Sequence, residues 1–157
     1  MFHNSAKILV AGAIAALIAS SPVTAQQKLK IGFITTFSGP VGVIGKHMKD
    51  SVELALDHLG RKVGGLETEM IYGDDQFKPD VGLQVAEEMM KKDQVDLVSG
   101  IIWSNVMMAV VPAVTATGRI MLGTNAGPSP LAGSQCNALF VSTSWSNDQS
   151  PEATWIA

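Results

Sequence analysis

Apolar and polar positions along this chain alternate between two rhythms. Residues 29–36 (LKIGFITT) form a near-continuous apolar run, the pattern of a strand covered on both faces. Residues 45–59 then switch to helical spacing, with Met48, Val52, Ala55 and Leu59 on one face and Gly60 as the stop. Gly64-Gly65 breaks the chain, and 66–72 (LETEMIY) reads as a second strand. A second helix opens at Lys78-Pro79-Asp80, with Pro79 suited to its first turn. Val81, Val85 and Met89 form its apolar stripe, Ala86 and Met90 widen it, and Lys91-Lys92 complement the dipole at its carboxyl end. Residues 95–100 (VDLVSG) are a third strand, and 106–117 a third helix that Pro112 should kink and Gly118 should end. Strands over 119–123 and 138–143 follow, and 148–157 has the composition of the first turns of another helix. The order β-α-β-α-β-α-β-loop-β-(α) predicts an α/β fold: a doubly wound parallel sheet with right-handed crossovers.

The chain is organised around residues 30–45 (KIGFITTFSGPVGVIG), a first strand feeding a glycine-rich turn and a helix. In open α/β sheets of this kind ligands sit outside the carboxyl ends of the strands. Ahead of it, Lys7 precedes the apolar run 8–18, and Val23-Thr24-Ala25 is a small-residue cleavage pattern, so 1–25 reads as a secretory signal peptide. The run is shorter than the roughly 20 residues of a spanning helix. Without residues 1–25, which hold Lys7 and no acid, the formal charge moves from −3 to −4. That mild acidity argues against nucleic acid or an anionic membrane surface as partner. The single cysteine, Cys136, is either free or paired with something outside this chain.

Nucleotide chemistry fails on spacing. The turn reads G-x-x-G-x-x-G over Gly39, Gly42 and Gly45 instead of G-x-G-x-x-G. A phosphate loop fails as well, because Lys46 is followed by His47 and the required first glycine falls on Pro40. Asp74-Asp75 is better read as a turn capping the next helix than as a ribose-binding acid. His3, His47 and His58 lack metal spacing, and no H-E-x-x-H, C-x-x-C or G-x-S-x-G occurs. Neither an enzyme nor a metal or cofactor is expected. What remains are three polar loops after strands one, three and four: Ser38-Gly39-Pro40, Trp103-Ser104-Asn105, and Asn125-Ala126-Gly127-Pro128-Ser129. Taken singly, Ser104 reads as a helix cap and Trp103 as core. Three such loops on one sheet edge favour a site, in which the Ser104 hydroxyl and helix-end N–H groups suit a carboxylate and Trp103 gives an aromatic face.

The blocks K-I-G-F-I-T-T-F-S-G-P, D-D-Q-x-K-P-D-V-G, G-I-I-W-S-N-V and N-A-G-P-S-P-L-A-G occur in that order. Together they resemble the type I periplasmic binding proteins of branched-chain amino acid ABC transporters. The W-S-N and N-A-G-P-S blocks, with F-V-S-T-S-W-S-N-D-Q after them, look most like the branch that binds aromatic carboxylates such as benzoate. The resemblance implies a two-lobed protein closing by hinge motion on a small carboxylate, with an ABC permease as partner, as a monomer in the periplasm. It divides this chain into a leader at 1–25, the amino-terminal α/β lobe at 26–140, and at 141–157 the first hinge crossing with a truncated start of lobe two. Ser104 and the 126–129 loop (Ala126, Gly127, Ser129) match the carboxylate-holding positions. Trp103, Asn105, Asn125 and the Ser38 turn match cleft-lining ones, and Trp103 favours a flat aromatic ligand over a branched aliphatic one. A single lobe leaves such a ligand half exposed, so this chain alone is expected to bind weakly or undetectably. The alternatives are a receptor's extracellular sensing domain on the same fold and a non-functional truncated copy.

Overall fold

A computed structural model describes residues 28–149. The expected leader lies outside the described residues, as does all but 148–149 of the terminal helix. Within them, β1 (Leu29–Thr35), α1 (Gly42–His58), β2 (Lys62–Val63), β3 (Leu66–Asp74), α2 (Pro79–Glu88), β4 (Leu97–Gly100), α3 (Ser104–Thr115), β5 (Ile120–Gly123), α4 (Ser129–Ala132) and β6 (Phe140–Ser142) follow one another. The sheet order is β2-β3-β1-β4-β5-β6. Every pairing is parallel except the hairpin of β2 with β3. The doubly wound parallel sheet read from the sequence is therefore the observed one, with β1 near its centre.

Alternation along β1 assigns the two faces. Gly32 and Ile34 point toward α2 and α3, where Ile34, Val98 and Met121 of the sheet meet Ala86, Met107 and Val110 in the main core. Phe33 and Thr35 point toward α1, with the Thr35 hydroxyl against Met48 Sδ. The α1 face is only partly covered. By strand register Ile120 and Val141 share it, and they remain 45% and 47% exposed.

Several element boundaries differ from the sequence reading, for local reasons. Helix α1 begins at Gly42, three residues earlier than expected, because it starts from Val41 with no side-chain cap to announce it. Gly42 and Gly45 are buried there, and a Cβ on them would lie 2.3 Å from Phe37 O and 2.1 Å from Thr36 O. The glycine spacing thus serves close approach of the first helical turn to the end of β1. Strand β2, too short to carry a pattern, pairs with β3 across Gly64-Gly65, both at positive φ, a two-residue hairpin turn. Pro79 opens α2 as anticipated, but the helix leaves through a π-helical turn, Met89–Asp93. Pro112 lies inside α3 without ending it. The short α4 falls in a stretch the turn-forming residues marked as loop.

Candidate functional site

Because β1, β3, β4, β5 and β6 run parallel, the loops that follow them emerge at one sheet edge. These are 36–41, 75–78, 101–103, 124–128 and 143–149. The link between them is backbone. Gly100 and Ile101 both have positive φ (98° and 64°), a costly conformation for a β-branched residue. The turn they make lets the Ile101 N–H donate to Ile34 O at 2.6 Å while Ile101 O accepts from the Ala126 N–H at 3.2 Å. The end of β1 and the loops after β4 and β5 are thereby fixed to one another, and Ile101 and Ala126 are buried.

Ser104 is the first residue of α3. Trp103, extended at φ −107° and ψ 132°, occupies the N-cap position, and no side chain caps the helix. The Ser104 hydroxyl is therefore not spent on its own helix. It accepts a hydrogen bond from Asn147 Nδ2 at 3.1 Å. The backbone N–H of the same Asn147 donates to Gly127 O at 2.7 Å, so one residue spans Ser104 and the 126–129 loop. A Cβ on Gly127 would lie 1.7 Å from Trp145 O, which is why glycine stands where the 143–149 strap crosses.

Trp103 is half-buried. Its Nε1–H donates to Thr36 Oγ1 at 2.9 Å, and its ring lies against Phe77, centroids 4.2 Å apart at 48°. The Thr36 hydroxyl in turn donates to Asp75 Oδ1. Ser38 is exposed beside Asp74, whose Oδ1 accepts from the Phe37 and Gln76 N–H groups at 2.9 Å each. Burial pushes the Asp74 carboxyl up, but these N–H groups and Ser38 more than offset it and hold the group below the usual carboxylate value. Asn105 is exposed, Asn125 half-buried, and Ser129 half-buried at the start of α4.

The structure thus joins Ser104 and Gly127 through Asn147, places Trp103 beside them, and leaves Ser38 with Asp74. The expected capping of α2 by Asp74-Asp75 does not occur, since Lys78 is the N-cap and makes no side-chain cap bond. Instead the two carboxyls accept the N–H groups two residues on, Gln76 and Phe77, as consecutive Asx turns. Thr36, Phe77 and Asn147 were not singled out by sequence, and Asp75 was read only as a turn residue capping α2. An Asp-Asp pair after a strand is a turn signal, but nothing in the sequence says that Phe77 adopts a left-handed conformation. A hollow of about 310 Å³ beside the 126–129 loop is lined by Pro128, Leu131, Phe140 and Trp145, among others, and takes in only Gly127 of the expected residues.

Residues 28–156 match the family model described as periplasmic binding protein. The chain belongs to that family. Its sheet is that of the type I periplasmic binding protein fold, one lobe in part. Leu/Ile/Val-binding protein homolog 6 of Brucella abortus is 31% identical over 124 residues, which cover 78% of this chain and 31% of the relative. Among solved structures, an ABC transporter substrate-binding protein from Sphaerobacter thermophilus is 29% identical with a TM-score of 0.75, covering 82% of this chain and 36% of that one. A solute-binding protein of an R. palustris ABC transporter, in complex with 4-hydroxybenzoate, is 28% identical with a TM-score of 0.70, covering 76% and 32%. The chain spans about a third of the length of the relatives it matches. The family is one of substrate-binding proteins, and such proteins bind small molecules and work with ABC permeases.

Proposed function

We propose that this chain supplies the amino-terminal lobe of a substrate-binding component of an ABC importer, which captures a small carboxylate in the periplasm and closes on it by hinge motion. One observation carries the reading. The Ser104 hydroxyl, at the first turn of α3 and uncommitted to capping it, lies within one residue's span of the 126–129 loop, both held by Asn147. A hydroxyl, helix-end N–H groups and a loop backbone gathered on one edge are the donors a carboxylate needs. Trp103 and Phe77 beside them supply aromatic surface, which favours an aromatic acid over a branched-chain amino acid. Residues 1–25 serve as the export leader, 26–140 form the lobe, and 141–157 begin the hinge crossing, with the protein acting as a monomer. The test is thermal unfolding of the chain with millimolar benzoate, leucine or acetate. A ligand that binds only the folded state raises the midpoint by mass action. A larger rise with benzoate than with leucine supports the reading, equal rises sink the aromatic preference, and no rise with any carboxylate, in this chain and in a fusion of it to a relative's second lobe, sinks the binding role of this edge.

A further inference from the structure

We propose that Phe77 is a ligand-contacting, specificity-determining residue of this edge, and that Asp75 is the positioning residue that aims both Phe77 and Trp103; the ligand part rests on the carboxylate-binding reading above. Gln76 and Phe77 sit consecutively at positive φ, 52° and 62°. Left-handed backbone at a bulky side chain is costly and persists where the surroundings over-determine it. A four-residue link from β3 to α2 does not require two such residues. They are held by Asp74 Oδ1 on the Gln76 N–H, Asp75 Oδ1 on the Phe77 N–H, both at 2.9 Å, and Asp75 O on the Lys78 N–H at 2.8 Å. The result is that Phe77 stands 47% exposed at the site edge with its ring set against Trp103.

The same Asp75 oxygen orients the second ring. The Trp103 indole donates to Thr36, and the Thr36 hydroxyl proton goes to Asp75 Oδ1. Asp75 is fully buried, and among the described residues its other oxygen, Oδ2, has no hydrogen-bond partner. A buried carboxyl with an unsatisfied oxygen is a poor way to gain stability. Its geometry, in contrast, fixes Phe77 through the backbone and Trp103 through Thr36. Trp103 is the N-cap of α3 and Ser104 its first residue, so the ring pair is set at the amino end of the helix that carries the Ser104 hydroxyl. A planar ring bearing a carboxylate gains face and edge contacts there that a branched aliphatic chain cannot make.

The test is nitrogen-15 NMR of the whole 157-residue chain labelled at tryptophan indoles, the three signals assigned by single Trp→Phe changes, titrated with benzoate and with leucine. In the unsubstituted chain benzoate shifts the Trp103 indole signal at lower concentration than leucine does. Phe77→Leu lowers benzoate affinity about three- to tenfold and leaves leucine unchanged, and Phe77→Tyr restores the preference. Thr36→Val moves the Trp103 indole proton upfield and speeds its exchange, whereas Thr36→Ser keeps both. Asp75→Asn, which retains an acceptor at Oδ1, preserves the indole signature, and Asp75→Leu abolishes it. Equal effects of Phe77→Leu on both ligands, or none, overturn the specificity role. An unchanged indole signal in Thr36→Val overturns the positioning role. Should neither ligand shift any signal, in this chain or in its fusion to a relative's second lobe, the carboxylate reading falls and the Phe77 contact with it, while the indole signature alone decides the role of Asp75.

Discussion

Ser104 separates affinity from stability more cleanly than any other residue of the edge. Ser104 is half-exposed, and among the described residues its hydroxyl holds only Asn147. Ser104→Ala is therefore expected to change stability by less than about 0.5 kcal/mol. Carboxylate affinity should fall roughly tenfold, the loss of a charge-assisted hydrogen bond, as read by titration of the two chains. Gly127 is the opposite case. Gly127→Ala drives a methyl group into the Trp145 carbonyl, and should cost about 1–3 kcal/mol in urea unfolding with loss of exchange protection at the Asn147 amide. Asp74 sets a pH limit. Its pKa is lowered by folding, so the support it gives the turn after β1 is complete above the ordinary carboxylate value of 3.8 and is lost as pH falls below it toward the folded value. The protection factor of the Phe37 amide should fall over that acidic window, and Asp74→Asn should flatten the dependence. Ser104 and Gly127 were legible in sequence because helix starts and glycine turns leave a mark. The Phe77 ring was not, because its direction depends on a backbone angle that side-chain type disfavours.

Among the elements, the long periodic ones were readable and the short ones were not. Strand β1 and helices α2 and α3 carry enough repeats of their period to identify them, whereas β2 has two residues and α4 four. Helix α1 shows a second reason. Its start was hidden because contact with β1, and not a capping side chain, decides where it begins. Gly45→Ala should therefore act as a tertiary lesion, although alanine is the better helix former. A Cβ 2.1 Å from Thr36 O must push α1 off the sheet, at about 2–3 kcal/mol in urea unfolding followed by circular dichroism. A stabilised variant would show that α1 and β1 are less closely packed than described.

At the scale of the molecule, the parallel sheet places five loops on one edge, and there the binding reading and the topology meet. The export reading makes its own prediction: protein recovered from the periplasm should begin at Gln26 by amino-terminal sequencing. A product retaining Met1 would remove the cleaved leader. The central position of β1 has a consequence for how the chain is made. Its two hydrogen-bonded neighbours, β3 and β4, are both synthesised after it, and the second is not complete until Gly100. At ribosomal speeds of roughly 5–20 residues per second, the first strand waits about 3–13 seconds until both partners are made. During that interval the nascent chain holds no finished sheet, and a polypeptide in that condition can still be threaded through a narrow translocation pore.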